Sequence, residues 1–420
     1  MKAHRLSSLA LPKTAIWMMS ARLGPIGAGL AAAAILPAPE YGHYVIALAW
    51  LGGLVAILAG SAQALVARAN QPAQDLSEDP TIGTTDTHLS HVLRQSFLAC
   101  LLVPIGLGLL FIALGYRGTF ILAIVLAGLF STQNACLGAL LWGSRRINSL
   151  SLASLSESLL TILAVGLGAF WGKTVEAALW GLALANFLSW LIYVRSIGGF
   201  GALLRLWKTT DPNGIHLLQG VLGPSLVNGA AGAAGPAIAL VIAAIKEPAS
   251  AGIYGVWMLL IAAGLFPIQI LGIALAPPLI AWREQARKKL AVLALIGGVG
   301  WGFLSGAGLF LLGPMLIDAL GVEVLTEHNN TIFKASALAA LLLFCLCPIA
   351  TIGPIVQADG RYWTWAYVNA ISAVIFIGVA LLWPPSLALA LYACLVAALF
   401  RLGIGLPLAF SCVFRWHRQT

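Results

Sequence analysis

Charge is what this chain has least of. Lys, Arg, Asp and Glu together make up 9% of its 420 residues, against about 25% in an ordinary soluble domain. That shortage excludes a water-facing globular protein. Cysteine is also sparse. Cys100, Cys136, Cys345, Cys347, Cys394 and Cys412 all lie in or beside apolar runs and form no CxxC or Cys-His cluster. Disulfides and zinc are therefore not expected, and the six read as small apolar core residues. None of the seven histidines falls mid-span, and no HExxH, GxSxG or Walker motif appears, which removes the common hydrolases and nucleotide-driven enzymes. No repeat of the 20–50-residue kind that builds solenoids is present. No basic cluster belongs to a soluble domain, so nucleic acid is not an expected partner.

What the chain does have is hydrophobic length. Apolar residues make up 60% of it, and its mean hydropathy is +0.95. A spanning helix needs about 20 apolar residues. That rule predicts twelve spans: 15–36, 41–66, 94–114, 119–141, 151–171, 175–195, 216–245, 250–279, 290–320, 334–357, 364–383 and 387–412. The first is too long for a signal-peptide core and contains Arg22, so it reads as a retained helix. Two heads of these spans resemble each other. Tyr41-Gly42-His43-Tyr44 follows a Pro-containing turn, and so does Gly252-Ile253-Tyr254-Gly255, 210 residues later. An internal duplication is expected, six helices plus six.

The basic residues orient the bundle. With the N-terminus inside, 17 of the 23 Lys and Arg residues fall in inner segments; only Arg117, Lys173, Lys246 and Lys334 fall outside. The positive-inside rule then puts both termini in the cytoplasm. Both halves start from the same side, so the repeat is parallel, with a pseudo-twofold axis along the membrane normal. The expected division is an N-terminal lobe over 1–205, a linker over 206–215 and a C-terminal lobe over 216–420. The stretch Phe200–Lys208 reads as a short amphipathic helix in the inner interface, and 67–93 as a polar inner loop. The fold class is an all-α polytopic membrane protein.

Three charges are candidates for a place deep in the bilayer, away from the span ends: Arg22, Glu157 and Arg401. Each would cost about 3 kcal/mol or more unless it faces water or a partner. Two cations against one anion suit an anionic ligand, since guanidinium presents forked donors to phosphate oxygens. Arg22 has a second reading, in which its side chain snorkels back to the inner surface. Glu157 also has two. It is either an ion-coupling carboxylate facing a cavity or the last member of a Ser154-x-x-Glu157 capping box that starts helix 5. Asn134, Gln63, Asn228 and Gln269 are candidate substrate contacts with amide donors and acceptors, or else interhelical hydrogen-bonding groups, as are Gln133, Asn186, Gln219 and Asn369. Prolines inside spans, and the series Gly298-x-x-x-Gly302-x-x-x-Gly306, predict bends and a close helix approach. The aromatic residues at span ends, Trp365 among them, read as interfacial belts.

Four short motifs stand in order at helix ends. Pro39-Glu40-Tyr41-Gly42-His43-Tyr44 opens helix 2, and Ala251-Gly252-Ile253-Tyr254 opens helix 8. Gly143-Ser144-Arg145-Arg146 follows helix 4, and Gln357-Ala358-Asp359-Gly360-Arg361 follows helix 10. On these the chain resembles the polysaccharide-biosynthesis (Wzx-like) flippases of the multidrug/oligosaccharidyl-lipid/polysaccharide exporter superfamily. The resemblance implies movement of undecaprenyl-diphosphate-linked oligosaccharide from the inner to the outer leaflet of a bacterial inner membrane, for exopolysaccharide, O-antigen or capsule assembly. It further implies ion-coupled alternating access, no cofactor, membrane lipids as surroundings, and a polysaccharide polymerase and chain-length regulator as partners. Arg22 resembles the cavity arginine of lipid-linked sugar flippases. The alternative is a multidrug exporter of the same superfamily. A membrane polymerase or glycosyltransferase is disfavoured, because the longest expected outer loop is only about Gly321–Phe333.

Overall fold

A computed structural model of the chain describes residues 23–69, 104–116, 118–143, 146–208, 227, 248–281, 284–319, 329–382 and 387–415. Its secondary structure there is helical. Helices α1 and α3 are described over Leu23–Ile35 and Pro104–Ala113. The others are α2 (Ala38–Ala69), α4 (Thr119–Gly143), α5 (Ile147–Gly172), α6 (Val175–Ile197), α7 (Phe200–Lys208), α8 (Pro248–Ala281), α9 (Glu284–Ala319), α10 (Asn329–Ala358), α11 (Tyr362–Leu382) and α12 (Leu387–Arg415). Eight helical stretches among the described residues are long and apolar enough to cross a membrane.

Local chemistry sets the boundaries. α5 stops at Lys173, which takes a left-handed conformation (φ 51°), and Thr174 caps α6 by accepting from Ala177 N at 3.3 Å. Gly198 (φ 116°) and Gly199 (φ 82°) break α6 and release α7, because only glycine adopts such φ values freely. α7 covers the segment expected to be amphipathic. α8 starts on Pro248, where a missing N–H costs nothing. Pro314, Pro348, Pro354 and Pro407 lie inside helices, as expected of prolines within these spans.

The duplication is visible in where helices begin. α2 and α8 start 210 residues apart (38 and 248), α4 and α10 also 210 (119 and 329), α5 and α11 215 (147 and 362), α6 and α12 212 (175 and 387). α4, α5 and α6 pack on one another in the first half. In the second, α10 packs on α8, α9 and α12, and α11 on α12. Small residues let backbones approach. A Cβ on Gly181 would lie 2.7 Å from the Ala164 carbonyl carbon; those on Gly298, Gly302 and Gly306 would meet α10 backbone at 3.1, 2.9 and 2.9 Å. The Gly298 series therefore performs its expected packing role, with α10 as the neighbour.

The halves meet along α2 and α8. A Cβ on Gly252 would sit 3.1 Å from the Ala38 carbonyl and 3.4 Å from Gly42 N, so the two glycines matched at an offset of 210 face each other. Tyr44 and Tyr254, also matched, are both buried, and one apolar cluster runs through both halves here. Away from the seam, α5 turns Leu152, Leu155, Leu159, Leu163, Leu167 and Phe170 outward at helical spacing, the apolar stripe a lipid-facing helix presents.

Candidate functional site

Glu157 sits in the middle of α5, ten residues after Ile147, or about 15 Å along the helix. The capping-box reading fails here. α5 starts two turns before Ser154, because Arg146 takes a non-helical conformation and the chain is helical from Ile147. Ser154 turns instead to α6, with its Oγ 3.1 Å from Tyr193 Oη.

Three helices converge on the carboxylate. Tyr193 of α6 donates to Glu157 Oε2 at 2.9 Å, and Asn134 Nδ2 of α4 donates to Oε1 at 3.3 Å. Asn134 Nδ2 also donates to the Asn186 carbonyl at 3.1 Å, and Asn186 Nδ2 to the Ala127 carbonyl at 3.2 Å. Asn134, Asn186, Ser154 and Tyr193 are all buried. This node ties α4, α5 and α6 together with polar bonds at a depth where each would otherwise need water. Asn134 Oδ1 and Ser189 Oγ remain buried acceptors with no hydrogen-bond partner among the described residues.

The other half carries the opposite charge. Arg401 lies 14 residues from either end of α12. Its guanidinium carbon sits 5.9 Å over the ring of Trp365, which is in the first turn of α11. Glycines shape the slot around that ring: a Cβ on Gly353 would lie 3.1 Å from Trp365 Nε1, and one on Gly405 3.2 Å from Cζ3. Trp365 is thus buried against Gly353 and Gly405 and serves as a platform under Arg401. At the 215-residue offset of α5 and α11, Ser154 corresponds to Asn369 and Glu157 to Ser372, whose Oγ donates to the Ala397 carbonyl at 3.1 Å. The second half therefore repeats the polar positions without the carboxylate.

The arginines of two end motifs do matching work. Arg146 Nη1 donates to the Ile197 carbonyl at 3.0 Å, holding the end of α6. Arg361 pairs with Asp359 at 3.1 Å and donates to Ser411 of α12 at 3.2 Å, while Arg287 bonds the Ala358 carbonyl. Each thus links the turn before the fifth helix of its half to the last turns of the sixth. At the opposite end, Glu40 accepts from Val175 N at 2.7 Å and His43 bonds Tyr116. Burial first, then the Glu40 carboxylate, raise the Tyr116 phenol above its usual range.

The structure brings Asn134 and Glu157 together and sets Arg401 in the other half. Gln269 is half-buried on α8. Arg22 and Asn228 lie outside the described residues, and so does the side chain of Gln63. Tyr193 escaped the sequence reading because a span ending at 195 puts it at an interface, where tyrosines are routine. The belt expectation for Trp365 has the same origin, and its burial against Gly353 and Gly405 departs from it. Among the described residues no three His, Cys, Asp or Glu side chains gather as metal ligands.

No protein-family profile matches the chain, and no curated protein matches it. Solved structures do. The chain is similar to an inward-facing multidrug resistance MATE family transporter of the MOP superfamily, with a TM-score of 0.72 at 14% identity over 97% of this chain and 99% of that one. It is similar to an outward-facing MATE transporter with a TM-score of 0.70 at 14% identity, covering both chains completely. A MOP superfamily transporter from Pyrococcus furiosus, for which a reversed binding-pocket polarity suggested a different function, matches with a TM-score of 0.67 at 15% identity over 97% and 95%. The chain thus has the two-lobed, all-helical membrane fold of these transporters.

Proposed function

We propose that the protein is an ion-coupled exporter that works by alternating access between its lobes, with Glu157 as the coupling carboxylate. The observation that carries this is the Glu157 node: one half-buried carboxylate at mid-span, held by Asn134 of α4 and Tyr193 of α6. An intramembrane carboxylate is costly unless it is protonated, paired or hydrated, and such residues mark proton and ion pathways. The lobes touch through apposed glycines on α2 and α8, a geometry that permits rocking. Neighbours described as multidrug resistance transporters favour an amphipathic small molecule as cargo. The distribution of Lys and Arg favours a cytoplasmic face at the ends of α6 and α12 and, by the same rule, both termini inside. A bacterial inner membrane is the setting this reading takes.

Arg401 favours a second reading, the lipid-linked oligosaccharide flippase, because a cationic C-terminal lobe suits a diphosphate better than a cationic drug. Under it, Arg22, Asn134, Gln63, Asn228 and Gln269 would face the glycan, and a polymerase and chain-length regulator would be partners. The test is flux in proteoliposomes under an imposed pH or sodium gradient, comparing ethidium with a fluorescent undecaprenyl-diphosphate sugar. Gradient-driven flux that Glu157→Gln abolishes is expected. Equal flux by both proteins would overturn the coupling role, and the cargo that moves decides between the readings.

A further inference from the structure

Among the described residues no carboxylate forms an ion pair with Arg401. Asp359 is already engaged by Arg361 at 3.1 Å. Arg401 Nε is buried, with no hydrogen-bond partner among the described residues. The sequence narrows the field further. Of its 14 acidic residues, only Glu157 falls in the middle of a span, and 216–245 contains none. Glu157 belongs to the other lobe and is held by Tyr193 and Asn134. A guanidinium at this depth is nevertheless strongly disfavoured without an anion, water or a π face. Trp365 supplies the π face, and its ring is fixed between Gly353 and Gly405, so the guanidinium sits over a held ring with its Nε unpartnered among the described residues.

Depth identifies what fits. Trp365 is only three residues into α11, about 5 Å along the helix. The long Arg401 side chain therefore runs from mid-helix toward the inner end of its lobe. That is the level of the inner-leaflet headgroups under the orientation proposed above, on which this inference rests. We propose that Arg401 and Trp365 form a binding site for the phosphate group of an amphiphile, entered from the inner leaflet, with Trp365 as the residue that positions the guanidinium. Arginine grips a phosphate by two parallel N–H bonds, which lysine cannot do. The amphiphile is either the transported cargo or a resident anionic lipid; both present the same phosphate.

Calorimetric titration of the full chain in nanodiscs tests this, with dodecyl phosphate as soluble probe in pure phosphatidylcholine and phosphatidylglycerol doping as the lipid arm. Saturable binding of dodecyl phosphate, with no competition from dodecyltrimethylammonium, is expected. Arg401→Gln should weaken it at least tenfold, and Trp365→Leu about threefold or more. If Arg401→Gln does not fold, Arg401→Lys keeps the charge and should still lose most of the affinity. Binding that phosphatidylglycerol displaces identifies a lipid headgroup site, and binding that it leaves intact identifies a cargo site. The titration involves no gradient and no transport, so failure of the coupling role leaves this test standing. Equal affinity in wild type, Arg401→Lys and Trp365→Leu, or no saturable binding from either source, would overturn the proposal.

Discussion

Gly255→Ala should change which way the protein opens rather than whether it folds. A Cβ built on Gly255 lies 2.7 Å from one methyl of Val45 across the α2–α8 seam, and closer still to the other. Val45 is β-branched and has one comfortable rotamer in a helix, so it cannot turn aside. Overpacking of this kind costs about 1–3 kcal/mol. The penalty exists only while the seam is closed. The helix-propensity gain of Ala over Gly, about 0.5–1 kcal/mol, is present in both states and cancels between them. The equilibrium should therefore move toward the state with the seam open by about 5- to 150-fold, with thermal stability unchanged or raised. The assay is labelling of Ala38→Cys by a membrane-impermeant maleimide in a background without other cysteines. Ala38 borders the seam, its carbonyl 3.1 Å from the Gly252 Cβ position. Labelling should accelerate in Gly255→Ala and return to its original rate in Val45→Ala/Gly255→Ala, the cycle that isolates the clash. An unchanged rate, or acceleration that survives in the double variant, would refute the reasoning.

Other positions test other parts of the account. Gly181→Ala places a methyl against the Ala164 carbonyl and should destabilise the N-terminal lobe by about 3 kcal/mol or more, read as a lower melting temperature in detergent. Gly360→Ala strains a residue at φ 79° in the α10–α11 turn and should lower stability by about 1 kcal/mol. Tyr193→Phe removes one donor to Glu157 and the partner of Ser154, so gradient-driven flux should fall while protein abundance holds. Cysteine at exposed Lys173 should label from outside, and at exposed Lys289 only after permeabilisation; the reverse would invert the bundle.

Much of the fold is legible in the sequence because a membrane leaves the backbone few options. Apolar length fixes the spans, and the Tyr44–Tyr254 match at 210 residues agrees with helix starts 210–215 apart. Boundaries were harder to read. Ser154-x-x-Glu157 imitates a helix start, yet the helix runs on to Ile147, because Ile147, Leu150 and Leu152 extend the apolar run past a local capping preference. Asn134 and Glu157 were legible singly but not as partners, since the register of α5 against α6 comes from contacts such as Gly181 on Ala164, and that of α4 from contacts such as Gly138 on Leu150 and Tyr193. Arg401 was legible as a buried charge. Its direction was not, because Trp365 joins it only through a slot made by Gly353 on α10 and Gly405 on α12.

The central claim is that two lobes rock about the α2–α8 seam under control of Glu157. Spin labels at Lys173→Cys and Lys334→Cys, exposed sites at one end of each lobe, report it directly by pulsed electron resonance in nanodiscs. The account predicts two distances whose populations exchange with pH or sodium in the otherwise wild-type chain and collapse to one in Glu157→Gln. A single distance, indifferent to pH, to sodium and to Glu157, would contradict it.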